Sequence, residues 1–164
     1  MNRKLFLDKL HEARREWEEA LAHIPEARMT ELALAGGWSI KDAIAHVTWS
    51  EREMIGVIRG RALVGSPHWA LRTDERNAAV YAENRERPLA EVLAEANAVW
   101  AELLPGLEAL TGEDLADPSR FRELAETAPG VRPWQIFAGS TFTHYEEHAA
   151  DVRKWLQDGA KPGA

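Results

Sequence analysis

Apolar residues recur every three or four positions in four long segments of the chain, a spacing typical of amphipathic helices. None of these segments shows the sustained alternation of apolar and polar residues that indicates a strand. The four segments are residues 6–24, 40–60, 89–110 and 133–158. Helices of this length, each with one apolar face, predict an all-α fold of the four-helix-bundle type.

Signals at the ends of these segments refine the prediction. Ser39 precedes the second helix and Asp42 follows three positions later, so we expect a capping box there. A shorter polar helix is predicted at 74–86, as an insertion between the second and third long helices. Pro105-Gly106 interrupts the third pattern and predicts a kink or a short break. We expect residues 112–132 to form a loop, because turn-forming pairs occur at both its ends.

Length and composition restrict the class of protein. With 164 residues, 45% of them apolar, the chain has the size of one globular domain, predicted at 1–158 with a flexible tail at 159–164. The absence of Cys excludes disulfides, thiolate metal sites and a cysteine nucleophile. The net charge of −7 argues against a nucleic-acid partner. No apolar run approaches the length of a membrane span, and no targeting segment is evident at the start, so we expect a cytoplasmic protein without a membrane partner.

Three of the six histidines lie on predicted inward faces. His144 and His148 are one helical turn apart, so their imidazoles point in the same direction. His46 lies at the edge of the buried face of the second helix. Neutral imidazoles are good ligands for zinc, nickel, copper or iron, and a third His on another helix favours a catalytic type of metal site. The alternative is that these imidazoles are buried and hydrogen-bonded to backbone or hydroxyl groups.

Glu51 falls near the middle of the apolar face of the second helix. A carboxylate in the interior is costly unless it is paired. If Glu51 is buried, we therefore expect an Arg, a Lys or a hydroxyl group as its partner.

Two sequence motifs resemble those of a known family. Residues 37–47, GWSIKDAIAHV, contain the pattern W-S-x-x-D-x-x-x-H, and residues 141–156 contain H-Y-x-x-H followed by a Trp-Leu pair. These motifs resemble the second-helix and fourth-helix signatures of the DinB/YfiT-like superfamily. Residues 74–89, which begin DERNAAVY, resemble its ClbS/DfsB branch. The resemblance covers nearly the whole chain.

The resemblance implies a four-helix bundle, often dimeric, in which three histidines hold a divalent metal ion. By position in the motifs, these are His46, His144 and His148. Zinc or nickel is the expected ion. Some relatives use a low-molecular-weight thiol as cofactor in transfer or isomerisation, and others hydrolyse a reactive electrophile. A homodimer and a small-molecule substrate are therefore the expected partners.

Further site residues follow from their positions relative to these histidines. Asp151 lies three residues after His148, and Glu53 lies two turns after His46, so either could act as a general base. Four residues are predicted to line a substrate pocket: Trp38, Ser50, Thr141 and Tyr145. For the aromatic residues, ordinary core packing is the alternative. The loop at 65–73, with Trp69, could be a lid or a plain connector.

Three functions remain open at this point. The first is a metal-dependent enzyme, a thiol-cofactor transferase or a hydrolase, that acts on an electrophilic small molecule. The second is a bundle that binds or sequesters a small molecule without catalysis and holds a structural metal. The third is a purely structural dimer with aromatic residues at its interface. The number of protein ligands on the metal separates the first two, because catalytic sites leave one position open.

Overall fold

In the computed structural model, which describes residues 1–62 and 65–159, the chain is almost entirely helical. The α-helices are α1 (Arg3–Ala22), α2 (Ile40–Gly60), α3 (Thr73–Asn84), α4 (Leu89–Ala109), α5 (Gly112–Ala116), α6 (Leu124–Thr127), α7 (Pro133–Ser140) and α8 (Phe142–Gly159). The two short strands are β1 (Leu32–Leu34) and β2 (Trp38–Ser39). The predicted tail at 159–164 lies outside the described residues except for Gly159, the last residue of α8.

The long helices pack in pairs around one apolar interior. α2 packs along α4 and α1 packs along α8, while α2 also contacts α8. The interior contains Phe6 and Leu10 from α1, Ile40 and Met54 from α2, and Leu103 from α4, each at most 1% exposed. The predicted all-α bundle is confirmed.

The start of α2 follows the predicted capping box. The Ser39 side chain accepts a hydrogen bond from the backbone N–H of Asp42, and the Asp42 carboxylate accepts one from the backbone N–H of Ser39. Ser39 also ends an antiparallel pairing of β1 with β2, which the sequence did not predict. The chain turns between these strands at Gly36 and Gly37, both at φ +78°, where glycine has no steric penalty. A pair this short shows no alternation that a sequence pattern could reveal.

Of the kink or short break predicted at Pro105, the break is absent. α4 runs through Pro105 without interruption from Leu89 to Ala109. Proline removes one backbone hydrogen bond, but Leu103 and Leu107 on either side are each 1% exposed. Their burial in the core anchors the helical turns on both sides of Pro105.

The predicted loop at 112–132 also contains helical turns. Thr111 and Asp114 form a second capping box, which begins α5. A 3₁₀ turn at Pro118–Arg120 and the single turn of α6 follow. Helices of four or five residues are too short for the apolar periodicity that predicted the long ones.

The predicted fourth helix is interrupted at one residue. α7 ends at Ser140 and α8 begins at Phe142, because Thr141 has non-helical angles (φ −132°, ψ −101°). The Thr141 hydroxyl donates a hydrogen bond to the carbonyl of Phe137 at 2.6 Å. This side-chain bond competes with the regular backbone ladder, as Ser and Thr commonly do within helices.

The predicted insertion is present as α3, and a buried lysine holds its end. Lys41 Nζ donates to the backbone carbonyls of Asn84, Arg85 and Arg87 at 2.6–3.2 Å. Carbonyls at a helix C-terminus carry partial negative charge, which an ammonium group balances. Lys41 thereby fixes α3 against the first turn of α2.

Among residues 1–62 and 65–159, no helix combines the length and apolar character needed to span a membrane.

Candidate metal centre

Three histidines converge on one side of the bundle. His46 lies in α2, and His144 and His148 lie one turn apart in α8. One nitrogen from each ring lies within 4.8 Å of the others, and the Nε2 atoms of His46 and His144 are 2.9 Å apart. Two nitrogens that each lie about 2.0–2.1 Å from one ion are about 3 Å apart, so this spacing suits shared coordination.

Burial keeps these imidazoles neutral. His46 is 7% exposed, and its burial, assisted by the charges of His148 and Arg76, lowers its pKa to about 4. The pKa of His144 is also well below its ordinary value, mainly because of burial. The pKa of His148 is lowered by burial, although the Asp151 carboxylate acts in the opposite direction. At pH 7 all three rings therefore offer a lone pair, as metal coordination requires.

The Nε2 atoms of His46 and His144 are close enough to share either a hydrogen bond or a metal ion. In the described part of the chain, the Nδ1 atoms of His46, His144 and His148 are buried and have no hydrogen-bond partner. The backbone or hydroxyl partners expected for purely structural imidazoles are therefore not found at these atoms. The three-His donor set is the chemistry that zinc and nickel accept.

An open cleft of about 720 Å³ lies against the histidines. Four aromatic side chains contribute to its walls: Trp38, Trp49, Trp69 and Tyr81. Trp38 stacks on Tyr81 with ring centroids 5.9 Å apart and presents an edge to His46 at 5.2 Å. The cleft is large enough for a small organic molecule and has apolar surfaces beside the donor nitrogens.

Besides the three histidines, three of the predicted site residues line this cleft. Trp38 and Ser50 contribute to its wall beside His46. Asp151 also lines it and places Oδ2 4.0 Å from Nδ1 of His148. That distance exceeds a hydrogen bond, so the carboxylate lies close to the imidazole without orienting it directly.

Thr141 and Tyr145, which the sequence placed in the pocket, lie elsewhere. Both are fully buried, and neither is among the described residues that line the cleft. Thr141 is bonded to the Phe137 carbonyl, and the Tyr145 phenol points to Glu51. Tyr145 and Thr141 therefore point into the interior of the bundle and do not face the cleft.

Glu53 does not lie in the cleft wall that the structure describes. Its Oε2 accepts a hydrogen bond from the backbone N–H of Ser66 at 2.7 Å, and the residue is 6% exposed. This bond holds the segment that carries Trp69 into the cleft. The Glu53 carboxylate is thus engaged by this connection and lies away from the described cleft wall where the spacing placed a general base.

Helix α3 supplies several residues of the cleft wall that the sequence did not predict. Arg76, Asn77 and Tyr81 from this helix line the cleft opposite the histidines, as does Asp74 in its first turn. The i, i+4 spacing of Asn77 and Tyr81 does indicate a shared face. The sequence could not show what that face covers, since only the packing of α3 against α2 places it over His46.

Several solved structures have the same fold. DfsB, described as a sibling lethal factor precursor, aligns with a TM-score of 0.79 at 14% identity over 99% of both chains. An uncharacterised protein from Escherichia coli UTI89 aligns at a TM-score of 0.77 with 14% identity, over 96% of this chain and 94% of that one. A protein from Streptococcus pneumoniae aligns at 0.76 with 15% identity, over 96% and 91%. At these identities the similarity shows the fold.

Comparison with curated proteins gave no significant match. A sequence model of the DinB superfamily, in contrast, matches residues 9–157, which include all three histidines and all the long helices except the first turns of α1. The match extends over most of the chain and agrees with the two His-bearing motifs. This chain therefore belongs to the DinB superfamily.

Proposed function

We propose that this protein is a metal-dependent enzyme that transfers a group to, or hydrolyses, an electrophilic small molecule. His46, His144 and His148 would hold one divalent ion, zinc or nickel. The observation that carries the proposal is the convergence of three neutral imidazoles, within 4.8 Å, at the wall of an open cleft. Three protein ligands beside open space leave a coordination position for a reacting atom, as catalytic sites do.

When bound, such an ion supplies Lewis acidity and makes a water or a thiol acidic enough to react near neutral pH. The chain's own residues would supply the rest. The three imidazoles fix the ion, and Trp38 presents its edge to His46 and limits water there. Asp151 is the carboxylate nearest His148 and would accept the proton released from the nucleophile. Ser50, in the cleft wall, would orient the substrate.

The composition restricts the source of a sulfur nucleophile. The chain contains no Cys, so a sulfur nucleophile must arrive as a low-molecular-weight thiol. Without a thiol, water is the nucleophile and the reaction is a hydrolysis. Both reactions use the same ligands and the same cleft.

Metal binding is the first test. The metal-free protein should bind one zinc or nickel ion in calorimetric titration, and His46→Ala and His144→Ala should each weaken binding by at least a hundredfold. His23→Ala is the matched control, because His23 is exposed and contacts only its own helix through the Glu19 carbonyl. Binding that is equally tight in the His46→Ala variant would refute the proposed centre.

Activity is the second test. The zinc- and nickel-loaded protein should be assayed with 1-chloro-2,4-dinitrobenzene plus a thiol, and with p-nitrophenyl acetate plus water. Turnover that depends on the thiol identifies a transferase, and turnover without it identifies a hydrolase. Loss of the activity in His144→Ala ties it to the three histidines.

A non-catalytic bundle with a structural metal is the second candidate. The observation in its favour is the proximity of Asp151 to His148, since a small movement would add a fourth protein ligand and close the site. X-ray absorption on the zinc-loaded protein separates the two. Asp151→Asn should leave the coordination number unchanged for an open catalytic site and lower it for a closed structural one.

A further inference from the structure

We infer that the cleft selects small organic carboxylates and that Arg76 is the residue that binds the carboxylate. This inference deepens the proposed function by naming the class of substrate. It concerns binding, so it can be tested separately from the metal and from turnover.

Arg76 reaches the cleft from α3, opposite the histidines. The residue is partly buried, and its guanidinium carbon lies 5.8 Å from the centroid of the Trp49 ring. Its positive charge acts on His46 and His144, where it helps to lower the pKa of both imidazoles. A cation held over an aromatic face and close to the donor nitrogens is placed to contact a molecule bound beside them.

The guanidinium of Arg76 has no anionic partner. In the described part of the chain, its side chain makes neither an ion pair nor a hydrogen bond. Several other arginines do have such a partner: Arg52 and Arg87 both pair with Glu95, and Arg59 pairs with Glu102 at 2.8 Å. Asp74, Glu147 and Asp151 line the same cleft, yet all lie beyond ion-pair distance from Arg76. The guanidinium of Arg76 therefore lies at the cleft wall with N–H donors that no group in the described part of the chain accepts.

The carboxylates of the cleft do not cancel this charge. Asp74, Glu147 and Asp151 are exposed, so water screens their repulsion toward a bound anion. Arg76 is partly buried against the Trp49 ring and close enough to His46 and His144 to lower their pKa, so an ionic hydrogen bond there is stronger than one at the exposed carboxylates.

The guanidinium of Arg76 and the aromatic walls of the cleft together indicate the chemical class of the ligand. A guanidinium is planar and presents paired donors, which match the two oxygens of a carboxylate. Trp38, Trp69 and Tyr81 provide aromatic surfaces in the same cleft, which favour an apolar or aromatic body over a bare inorganic anion. The ligand that satisfies both features is a small organic acid with one carboxylate and an apolar or aromatic portion.

The test compares acids with their neutral amides. Benzoate, phenylacetate and 3-phenylpropionate, each paired with its primary amide, should be titrated into the metal-free and the zinc-loaded protein, and phenyl phosphate should be titrated as a second kind of anion. Wild type should bind at least one of the acids at least tenfold more tightly than its amide in both states. Arg76→Gln should abolish this preference, and Arg76→Lys should retain a smaller one. Arg59→Gln, which removes the same charge from an exposed position of α2, is the control and should behave as wild type.

Three results would overturn the inference: no acid preferred over its amide, a preference that persists in Arg76→Gln, or a preference limited to phenyl phosphate. The thermal midpoint of Arg76→Gln shows whether the variant is folded, and it should fall only slightly, because the contact with Trp49 is lost. Its zinc affinity should match or exceed that of wild type because a positive charge near the imidazoles is removed. If zinc does not bind at all, the proposed function fails while the titrations of metal-free protein still decide the role of Arg76. If zinc binds but no acid is preferred, only this inference fails.

Discussion

The Tyr145 phenol donates a 2.5 Å hydrogen bond to Glu51 Oε1, although the two residues are 94 positions apart. Arg14 from α1 donates to the same oxygen at 2.8 Å, so three helices meet at one fully buried carboxylate. The sequence predicted that Glu51 needs an Arg, a Lys or a hydroxyl partner, and the structure supplies two of these. Tyr145 directly follows His144, so this network anchors the segment of α8 that carries the candidate metal ligands.

The first prediction concerns this network. Glu51→Ala should lower the free energy of unfolding by about 3–5 kcal/mol, because it leaves the buried Arg14 charge without its main partner. Tyr145→Phe should cost about 1–3 kcal/mol, since it removes one buried hydrogen bond. Urea unfolding followed by circular dichroism measures both. Glu18→Ala is the control, because Glu18 also pairs with Arg14 but is half exposed, and it should cost less than about 1 kcal/mol. Equal effects at Glu18 and Glu51 would contradict this account.

The second prediction concerns pH. The pKa of His46 falls from 6.5 to about 4 on folding, so below pH 6.5 the unfolded chain binds a proton that the folded protein does not. The metal-free protein should therefore be most stable above pH 6.5 and lose stability as the pH falls from 6.5 toward 4. Urea unfolding at pH 7.5, 6.0 and 5.0 measures this slope.

A variant isolates the contribution of His46. Burial raises the pKa of Glu51, although Arg14 and Tyr145 oppose the shift, and a raised carboxyl pKa makes the folded state more stable as the pH falls. The total slope thus combines opposite effects. His46→Gln removes only the imidazole, so its loss of stability between pH 7.5 and 5.0 should be smaller than that of wild type. An identical slope in the two proteins would show that His46 does not titrate as described.

The third prediction concerns the connection to Trp69. Gly65→Ala should destabilise the protein by about 1–3 kcal/mol, because the added β-carbon overlaps Oε2 of Glu53 and lies 3.2 Å from the β-carbon of Trp69. The carboxylate would have to leave its bond with Ser66. Thermal and urea unfolding measure the change. Gly112→Ala is the matched control, since a β-carbon there meets no atom within 4 Å, and a loss of stability as large as at Gly65 would exclude this explanation.

The fourth prediction concerns the start of α2. Ser39→Ala should cost about 1 kcal/mol, because the backbone N–H of Asp42 loses its acceptor. Ser39→Thr keeps the hydroxyl and should recover most of the stability, as judged by urea unfolding. The same cap begins the helix that carries His46, so zinc affinity should fall with Ser39→Ala and return with Ser39→Thr. Failure of the threonine variant to restore stability would argue that packing, not capping, matters at this position.

Much of the fold was predictable because it depends on local signals. The long amphipathic segments, the Ser39–Asp42 capping box and the α3 insertion all appear as local patterns in the sequence. The errors have local causes as well. The hydroxyl bond from Thr141 to Phe137 interrupts the fourth segment. The burial of the residues beside Pro105 keeps α4 continuous. In both segments the apolar periodicity predicted the helix correctly. Whether the helix continued was decided by a side-chain hydrogen bond at Thr141 and by packing beside Pro105.

The candidate site was predictable only in part. The i, i+4 spacing of His144 and His148 follows from helix geometry, and with His46 they form the three-His set. Helix geometry did not predict where the side chains near these histidines point. Tyr145 points into the core, and Glu53 accepts a hydrogen bond from the Ser66 backbone.

The sequence by itself determined the helical class and the shared direction of His144 and His148, because periodicity and spacing are properties of local chain geometry. The resemblance of its motifs to those of the family implied the set of three candidate metal ligands. The tertiary structure alone decided that His46 meets His144, 98 residues away, that burial keeps both imidazoles neutral, and that α3 brings Arg76 over the cleft. Contacts between distant segments and the exclusion of water depend on how the helices pack, and no local pattern records that packing.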